Sequence, residues 1–164
     1  MSRLDIETVG VDAVDRLAPL WEVLRQHHVG VVPHLPMQPP ARSWEIRRAL
    51  YETVLLDPDA FALVAVLDGR DVGYTVVALH EGPDDTWVTG DRIAEVETLS
   101  VVPDARGAGV GTALLDRVDV ELERLGVHDL RIAVIPANDD AVRFYRRRGL
   151  VPFLTVLGNF PPSP

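Results

Sequence analysis

The chemistry-bearing residues of this chain gather in three short stretches. Glu95 and Glu97 stand two residues apart in a β-rich run that ends at Pro103. Directly after it comes Arg106-Gly107-Ala108-Gly109-Val110-Gly111-Thr112. That glycine-dense turn leads into Thr112–Leu125, where Leu114, Leu115, Val118, Leu122 and Leu125 recur at helical spacing. Strand, glycine loop and helix in that order build an anion site. The first N–H groups of a helix lack internal partners, and the helix dipole places partial positive charge beside them. Gly107, Gly109 and Gly111 carry no Cβ and tolerate positive φ, so a phosphate can approach the main chain. Arg106 can add a charge-assisted hydrogen bond. The stretch reads as a pyrophosphate cradle.

Two familiar cradles do not match. A nucleotide-hydrolysing loop needs Lys before Ser or Thr, and the chain contains no Lys. A dinucleotide fingerprint needs an acid at the end of the next strand, whereas Asp129–Ile135 runs into Pro136-Ala137-Asn138. The pattern Arg106-x-x-Gly109-x-Gly111, preceded by Leu99-Ser100-Val101-Val102-Pro103, resembles the coenzyme-binding signature of the GNAT superfamily of acetyl-CoA-dependent N-acetyltransferases. An ordinary glycine turn could carry that short pattern alone. A second motif, Asn138-x-x-Ala141-x-x-Phe144-Tyr145-x-x-x-Gly149-Leu150, is similar to the helix that completes the acetyl-CoA site in the same superfamily. Asn138 or Asp139 can cap this helix, Gly149 can close it, and Arg146, Arg147 and Arg148 suit its last turn.

The resemblance implies an α+β fold, one GNAT-like domain over residues 1–164. Its mixed sheet is mostly antiparallel, with a splayed parallel strand pair flanked by helices. Residues 1–58 form the helical acceptor side, 60–158 the sheet and acetyl-CoA-binding core, and 159–164 a tail. It implies that Leu99 and Val101 meet the pantetheine arm through main chain, and that a backbone N–H near Leu99 polarises the thioester carbonyl. The N–H groups from Arg106 through Gly107, Ala108, Gly109, Val110 and Gly111 to Thr112 hold the pyrophosphate, and Asn138 touches the coenzyme from the other side. Tyr145 is the candidate general acid, since a phenol of reference pKa about 10 stays protonated at neutral pH; a Tyr merely packed at a helix end is the alternative. Glu97 and Glu95 are candidate bases. Both share the parity of Leu99 if the strand is regular, and burial raises a carboxylate pKa toward neutrality. The expected reaction moves an acetyl group from acetyl-CoA to a primary amine by direct attack in a ternary complex. The chain has no cysteine to carry an acetyl intermediate. A non-catalytic acyl-CoA-binding sensor or interaction module is the other reading. The acceptor stays open among small amines, antibiotics, polyamines, amino acids and protein amines.

Composition frames these expectations. A chain of 164 residues with 47% hydrophobic and 25% charged content is an ordinary single domain. Its net charge is −9 and all sixteen basic residues are Arg. Nucleic acid is not an expected partner, because phosphate neutralisation drives such binding; the acidity leans toward a cationic acceptor. No apolar run is long enough to span a bilayer, and the first residues lack a signal core, so no membrane partner and a cytoplasmic location are expected.

The positioning elements follow in order. Ile6–Val9 reads as a short strand, and Asp12–His28 as a helix whose firm half begins after Pro19, at Leu20. Val29–Ser43 reads as a proline-rich loop. A loop this long suits a lid or substrate wall, and the resemblance implies that the segment lines the acceptor side, with Trp21, His28, His34, Met37 and Trp44 as the candidates; taken singly, Trp21 and Trp44 read better as core anchors. His27, His28 and His34 share no helical spacing with a carboxylate, and no metal is expected. Trp44–Leu56 reads as a second helix. Phe61–Leu67 and Val72–Leu79 form a hairpin about Asp68-Gly69-Arg70-Asp71, and Arg92–Val102 a third strand of the meander. Val151–Gly158 reads as a last strand through which two copies could pair as a homodimer, and the proline-rich tail as frayed or extended.

Overall fold

A computed structural model describes residues 2–160. Five strands form one sheet in the order β1 (Leu4–Val9), β2 (Phe61–Leu67), β3 (Arg70–Glu81), β4 (Arg92–Val101) and β5 (Asp129–Ile132). The first three contacts are antiparallel and β4–β5 is parallel. A 3-10 segment, Val11–Leu17, runs into α1 (Ala18–Val31), with Pro19 in the first turn, where a missing N–H costs nothing. The helix therefore starts close to the expected firm half. Helix α2 (Pro40–Val54) begins earlier than Trp44, again with a proline in its first turn, so the proline-rich connection shortens to 32–39. Arg25, buried and paired with Glu22 at 2.7 Å, reaches the Gln38 carbonyl and ties that connection to α1. Helices α3 (Val110–Leu125) and α4 (Asp139–Arg147) complete the chain.

Helices lie on both faces of the sheet, so β2 and the middle of β3 are buried on both sides and lose the alternation of a half-exposed strand. One core joins Leu63, Val77, Ala94 and Val96 to Leu114, Leu115 and Val118 of α3. The other joins Val64, Tyr74 and Val76 to Leu17, Leu20, Trp21 and Tyr51. In the second core, Tyr51 Oη lies 2.5 Å from Thr98 Oγ1 and 3.0 Å from Tyr74 Oη, so the buried hydroxyls satisfy one another.

The β3–β4 register contains one irregularity. Val76 faces Thr98 and Val77 faces Val96, which leaves Glu97 as the extra residue of a bulge. Ala94 and Val96 consequently pack toward α3, whereas Thr98 and Ser100 turn to the other core, where Ser100 Oγ donates to the Leu20 carbonyl. The shared face expected for Glu95, Glu97 and Leu99 breaks at this point. Leu99 joins the α3 side, and the two glutamates point the other way.

The expected last strand at Val151–Gly158 does not form: residues 151–160 make no sheet pairing, and Val151, Leu154, Val156 and Leu157 are exposed. A short run rich in apolar residues becomes a strand only against an edge and a core, and β5 has four residues. The end of the tail, 161–164, lies outside the described residues. Among the described residues, no helix is long and apolar enough to cross a membrane.

Gly73 sets how closely α3 seats on the sheet. A Cβ there would stand 2.8 Å from the Ser100 carbonyl oxygen and 3.2 Å from Val110 Cγ1, at the first residue of α3. Gly73→Ala should lower the unfolding free energy by about 1–3 kcal/mol through overpacking. Gly30→Ala, in α1 with open space around it, should be neutral or stabilising by up to about 1 kcal/mol. Urea midpoints at constant m-value check both; equal shifts for the two variants would contradict the close seating.

Candidate active site

Val101 ends β4, and a short 3-10 turn, Pro103–Ala105, delivers the chain to the glycine loop. Gly107 and Gly109 have φ of 77° and 82°, and nothing lies within 4 Å of the Cβ either would carry, so the loop is open to solvent. Gly109 caps α3 in the left-handed conformation, without a side-chain cap and without an acid in the first turn. The Ala113 N–H takes the Gly109 carbonyl at 2.9 Å. No side chain among the described residues takes the preceding N–H groups of Val110, Gly111 and Thr112, so they stay available to an anion. Gly111 acts through its size. A Cβ on it would stand 3.3 Å from Phe144 Cζ, so the missing side chain lets α4 pack against the start of α3. Arg106 sends Nε to the Val101 carbonyl at 3.0 Å, pinning the strand end while its remaining N–H groups stay exposed beside the loop.

Strand β5 accompanies β4 only from Ile93↔Asp129 to Val96↔Ile132. Beyond that pair the strands part. The gap is a cavity of about 180 Å³, bordered by Glu97, Thr98 and Leu99 on one side and by Ala133, Val134 and Ile135 on the other. Trp21, Leu24 and His28 of α1, Arg47 of α2, and Asn138, Ala141 and Tyr145 of the α4 segment close it. The Asn138 side chain also accepts the Ala141 N–H, capping α4.

Four ionisable groups of this region differ in their surroundings. Glu95 is engaged by Arg131, Oε2 to Nη2 at 2.6 Å, and approaches His80 Nε2 at 3.1 Å. Glu97 has no ion pair among the described residues, and burial together with the charge on Glu95 pushes its pKa up. The donor atoms of His80, Glu95 and Glu97 lie within 4.8 Å of one another, with the Arg131 guanidinium supplying the adjacent positive charge. Tyr145, 8% exposed, packs edge-on against Phe144 with ring centroids 5.2 Å apart. Burial raises its pKa, and its hydroxyl has no protein partner among the described residues, so it stands as an unengaged donor. His28 is pushed down by burial, by His27 and by Arg47, and is neutral at neutral pH.

The structure thus brings Trp21, His28, Glu97, Leu99, Asn138 and Tyr145 to one cavity. Glu95 lies beside it, tied to Arg131, and Val101 is half-buried against the α3 core. His34 is exposed in the 32–39 connection, and Met37 is 38% exposed. Trp44 packs edge-on against Tyr51 at 6.4 Å, in the second core. Arg47 is a cavity residue that the sequence did not single out. It follows Ser43 and precedes Tyr51 at four-residue intervals, the spacing of one helix face, but a charged helix residue carries no signal that separates a cavity wall from solvent.

Comparison with known proteins agrees with this geometry. The profile described as "Acetyltransferase (GNAT) family" matches residues 20–150. A mycothiol acetyltransferase of Propionibacterium freudenreichii subsp. shermanii is 35% identical over 111 residues, which cover 65% of this chain and 34% of that protein. The chain spans about a third of the length of the curated relatives it matches. Two solved structures share the fold. The ribosomal-protein-alanine N-acetyltransferase of Brucella melitensis biovar Abortus 2308 has a TM-score of 0.66 at 21% identity, covering 97% of this chain and 100% of that one. The aminoglycoside antibiotic 6'-N-acetyltransferase of Acinetobacter baumannii has a TM-score of 0.69 at 13% identity, covering 99% and 100%. With most of its length inside the matched profile, and with the parted parallel strands, the glycine turn and the Asn138–Leu150 motif in place, this chain belongs to the GNAT acetyltransferase family.

Proposed function

We propose that this chain transfers an acetyl group from acetyl-CoA to a primary amine by direct attack within a ternary complex. One observation carries the reading: Glu97 and Tyr145 both border the opening between β4 and β5, and β4 leads from that opening through Val101 and the Pro103–Ala105 turn to the uncapped start of α3. The N–H groups from Gly107 to Thr112, with the Arg106 guanidinium, take the pyrophosphate; the Arg106 N–H expected to join them donates instead to the Pro103 carbonyl at 3.3 Å. The main chain of β4 beyond Val96, freed from β5, pairs with the pantetheine arm at Leu99 and Val101, and an N–H near Leu99 polarises the thioester carbonyl. Asn138 meets the arm from the α4 side.

The amine nitrogen attacks the thioester carbon, so a C–N bond forms and the C–S bond breaks; the second proton the nitrogen sheds on becoming an amide passes to the leaving sulfur, and coenzyme A departs as the thiol. Glu97 accepts the proton the ammonium must lose, directly or through water. Its raised pKa makes it a stronger base than an exposed carboxylate, and its lack of an ion-pair partner leaves both oxygens available. Glu95, although ion-paired with Arg131, keeps its negative charge and adds to the burial that raises the Glu97 pKa. Tyr145 donates a hydrogen bond to the departing sulfur. A buried phenol with a raised pKa holds its proton more tightly than a thiol of reference pKa about 8.5. Its contribution is therefore greatest as a donor that stabilises thiolate character in the transition state.

The acceptors in the relatives' names differ from one another, and so the acceptor of this chain follows from its own cavity. Free-thiol release from acetyl-CoA across a panel of amines tests the activity. Tyr145→Phe should lower kcat about 10²-fold or more while leaving coenzyme affinity within about twofold. Coenzyme binding without turnover on any amine, unaltered in that variant, would replace the enzyme by an acyl-CoA-binding sensor. The pH dependence has a definite sign. Glu97 must be ionised to act, so kcat/KM falls as pH drops through a value higher than that of an ordinary exposed glutamate. Glu97→Gln should lower kcat and remove that acid limb; a limb that persists in the variant would assign the base elsewhere.

A further inference from the structure

Arg47 is a cation held ready inside the cavity. Every arginine except Arg47, Arg106, Arg146 and Arg147 lies within salt-bridge distance of a carboxylate among the described residues. Arg106 flanks the glycine loop, and Arg146 and Arg147 are exposed at the end of α4. Arg47 alone of these four borders the cavity between β4 and β5. Its guanidinium lies over the Trp21 ring, 4.2 Å from the centroid, and 5.6 Å from the centroid of Tyr51. Both rings are themselves fixed. Trp21 Nε1 donates to Ser43 Oγ at 3.0 Å, and Tyr51 is bonded to Thr98 and Tyr74. Stacking of this kind orients a guanidinium and leaves its edge free for a planar, bidentate anion.

The same cavity holds Glu97, an anion likewise without an ion-pair partner. In a chain of net charge −9 and 25 acidic residues, a half-buried arginine with no carboxylate within salt-bridge distance among the described residues stands out, although Arg47 and Glu97 attract each other across the cavity. One unpaired cation and one unpaired anion on the walls of one cavity complement a zwitterion. We propose that Arg47 determines specificity by binding a carboxylate of the acceptor, so that the acceptor is an amine bearing a carboxylate, of the amino-acid class. The acceptor's ammonium then lies toward Glu97 and its carboxylate on Arg47. A polycation such as an aminoglycoside or a polyamine meets repulsion at the same position. This assignment rests on the acetyl-transfer reading and deepens it.

The test is acetyl transfer to the free amino acids, to the corresponding amino-acid amides, and to spermidine and kanamycin, by the intact chain and by Arg47→Met and Arg47→Lys. Met keeps an apolar stem over Trp21, and Lys restores charge without the bidentate fork. At least one amino acid should exceed its amide by about 10- to 100-fold in kcat/KM, as removal of a charge-assisted hydrogen-bond partner does. The difference should lie mainly in KM, because the carboxylate takes no part in the bonds made and broken and is held alike in the ground and transition states. Arg47→Met should bring the acid-to-amide ratio near one, and Arg47→Lys should recover part of it. Loss in Arg47→Met that is equal for acid and amide would make Arg47 structural and overturn the assignment. So would turnover of amides or polycations as fast as of acids. Those outcomes leave acetyl transfer standing. Absence of coenzyme A affinity by calorimetry together with no thiol release on any amine overturns the acetyl-transfer reading and the assignment with it.

Discussion

The site depends on two neighbouring parallel strands that stop pairing. Backbone N–H and C=O groups of a central strand normally have partners on both sides, and an unpaired group away from water costs as much as a lost hydrogen bond. Here β4 continues to Val101, while its pairing with β5 ends at Val96↔Ile132. The freed groups face a cavity rather than a strand. Such an edge is tolerated when a ligand of matching shape can complete it, and an extended amide-bearing arm is such a ligand. What gathers around the gap in this chain follows from where that pairing stops.

The β4 bulge at Glu97 has a second consequence for the charges. By giving one residue no counterpart on β3, it reverses the faces of the strand halfway along. Below it, Val96 belongs to the core under α3; above it, Thr98 and Ser100 belong to the core under α1 and α2. Glu97 lies at the change-over, beside the point where β5 leaves. Glu95, one step before, still has Arg131 of β5 opposite it in the ladder and forms an ion pair with it. The end of the ladder thus separates a neutralised carboxylate from an unpartnered one, and burial does the rest by raising the pKa of the second.

Close approach of α3 and α4 to the sheet gives the cavity its walls. Gly73 lets Val110 seat on β3, and Gly111 lets Phe144 seat on α3, so that Tyr145 falls at the edge of the opening. Neither glycine needs a positive φ, unlike Gly107 and Gly109, which turn the chain into the helix. On the opposite wall, Ser43, Arg47 and Tyr51 share a helical face and touch Trp21 and Thr98, so α2 contributes through its aromatic support of one guanidinium.

The sequence by itself determined the order of elements, because hydrophobic period, glycine and proline are local signals. Phe61–Leu67, the hairpin at Asp68-Gly69, helix α3 and the Asn138-capped helix α4 all read directly from residue types. The same is true of the glycine turn and the Asn138–Leu150 motif, whose spacing is covalent. Four things belonged to the tertiary structure. The bulge at Glu97 separated Leu99 from the glutamates, and no property of Glu97 announces it. Residues 151–158 are rich in apolar and β-branched types yet find no partner edge. The ion pair of Glu95 with Arg131 joins residues 36 positions apart. Arg47 reads as a surface arginine until Trp21 is beneath it. Each of these rests on which distant groups come within a few ångströms, and that is set by the packing of the whole chain rather than by any stretch of it.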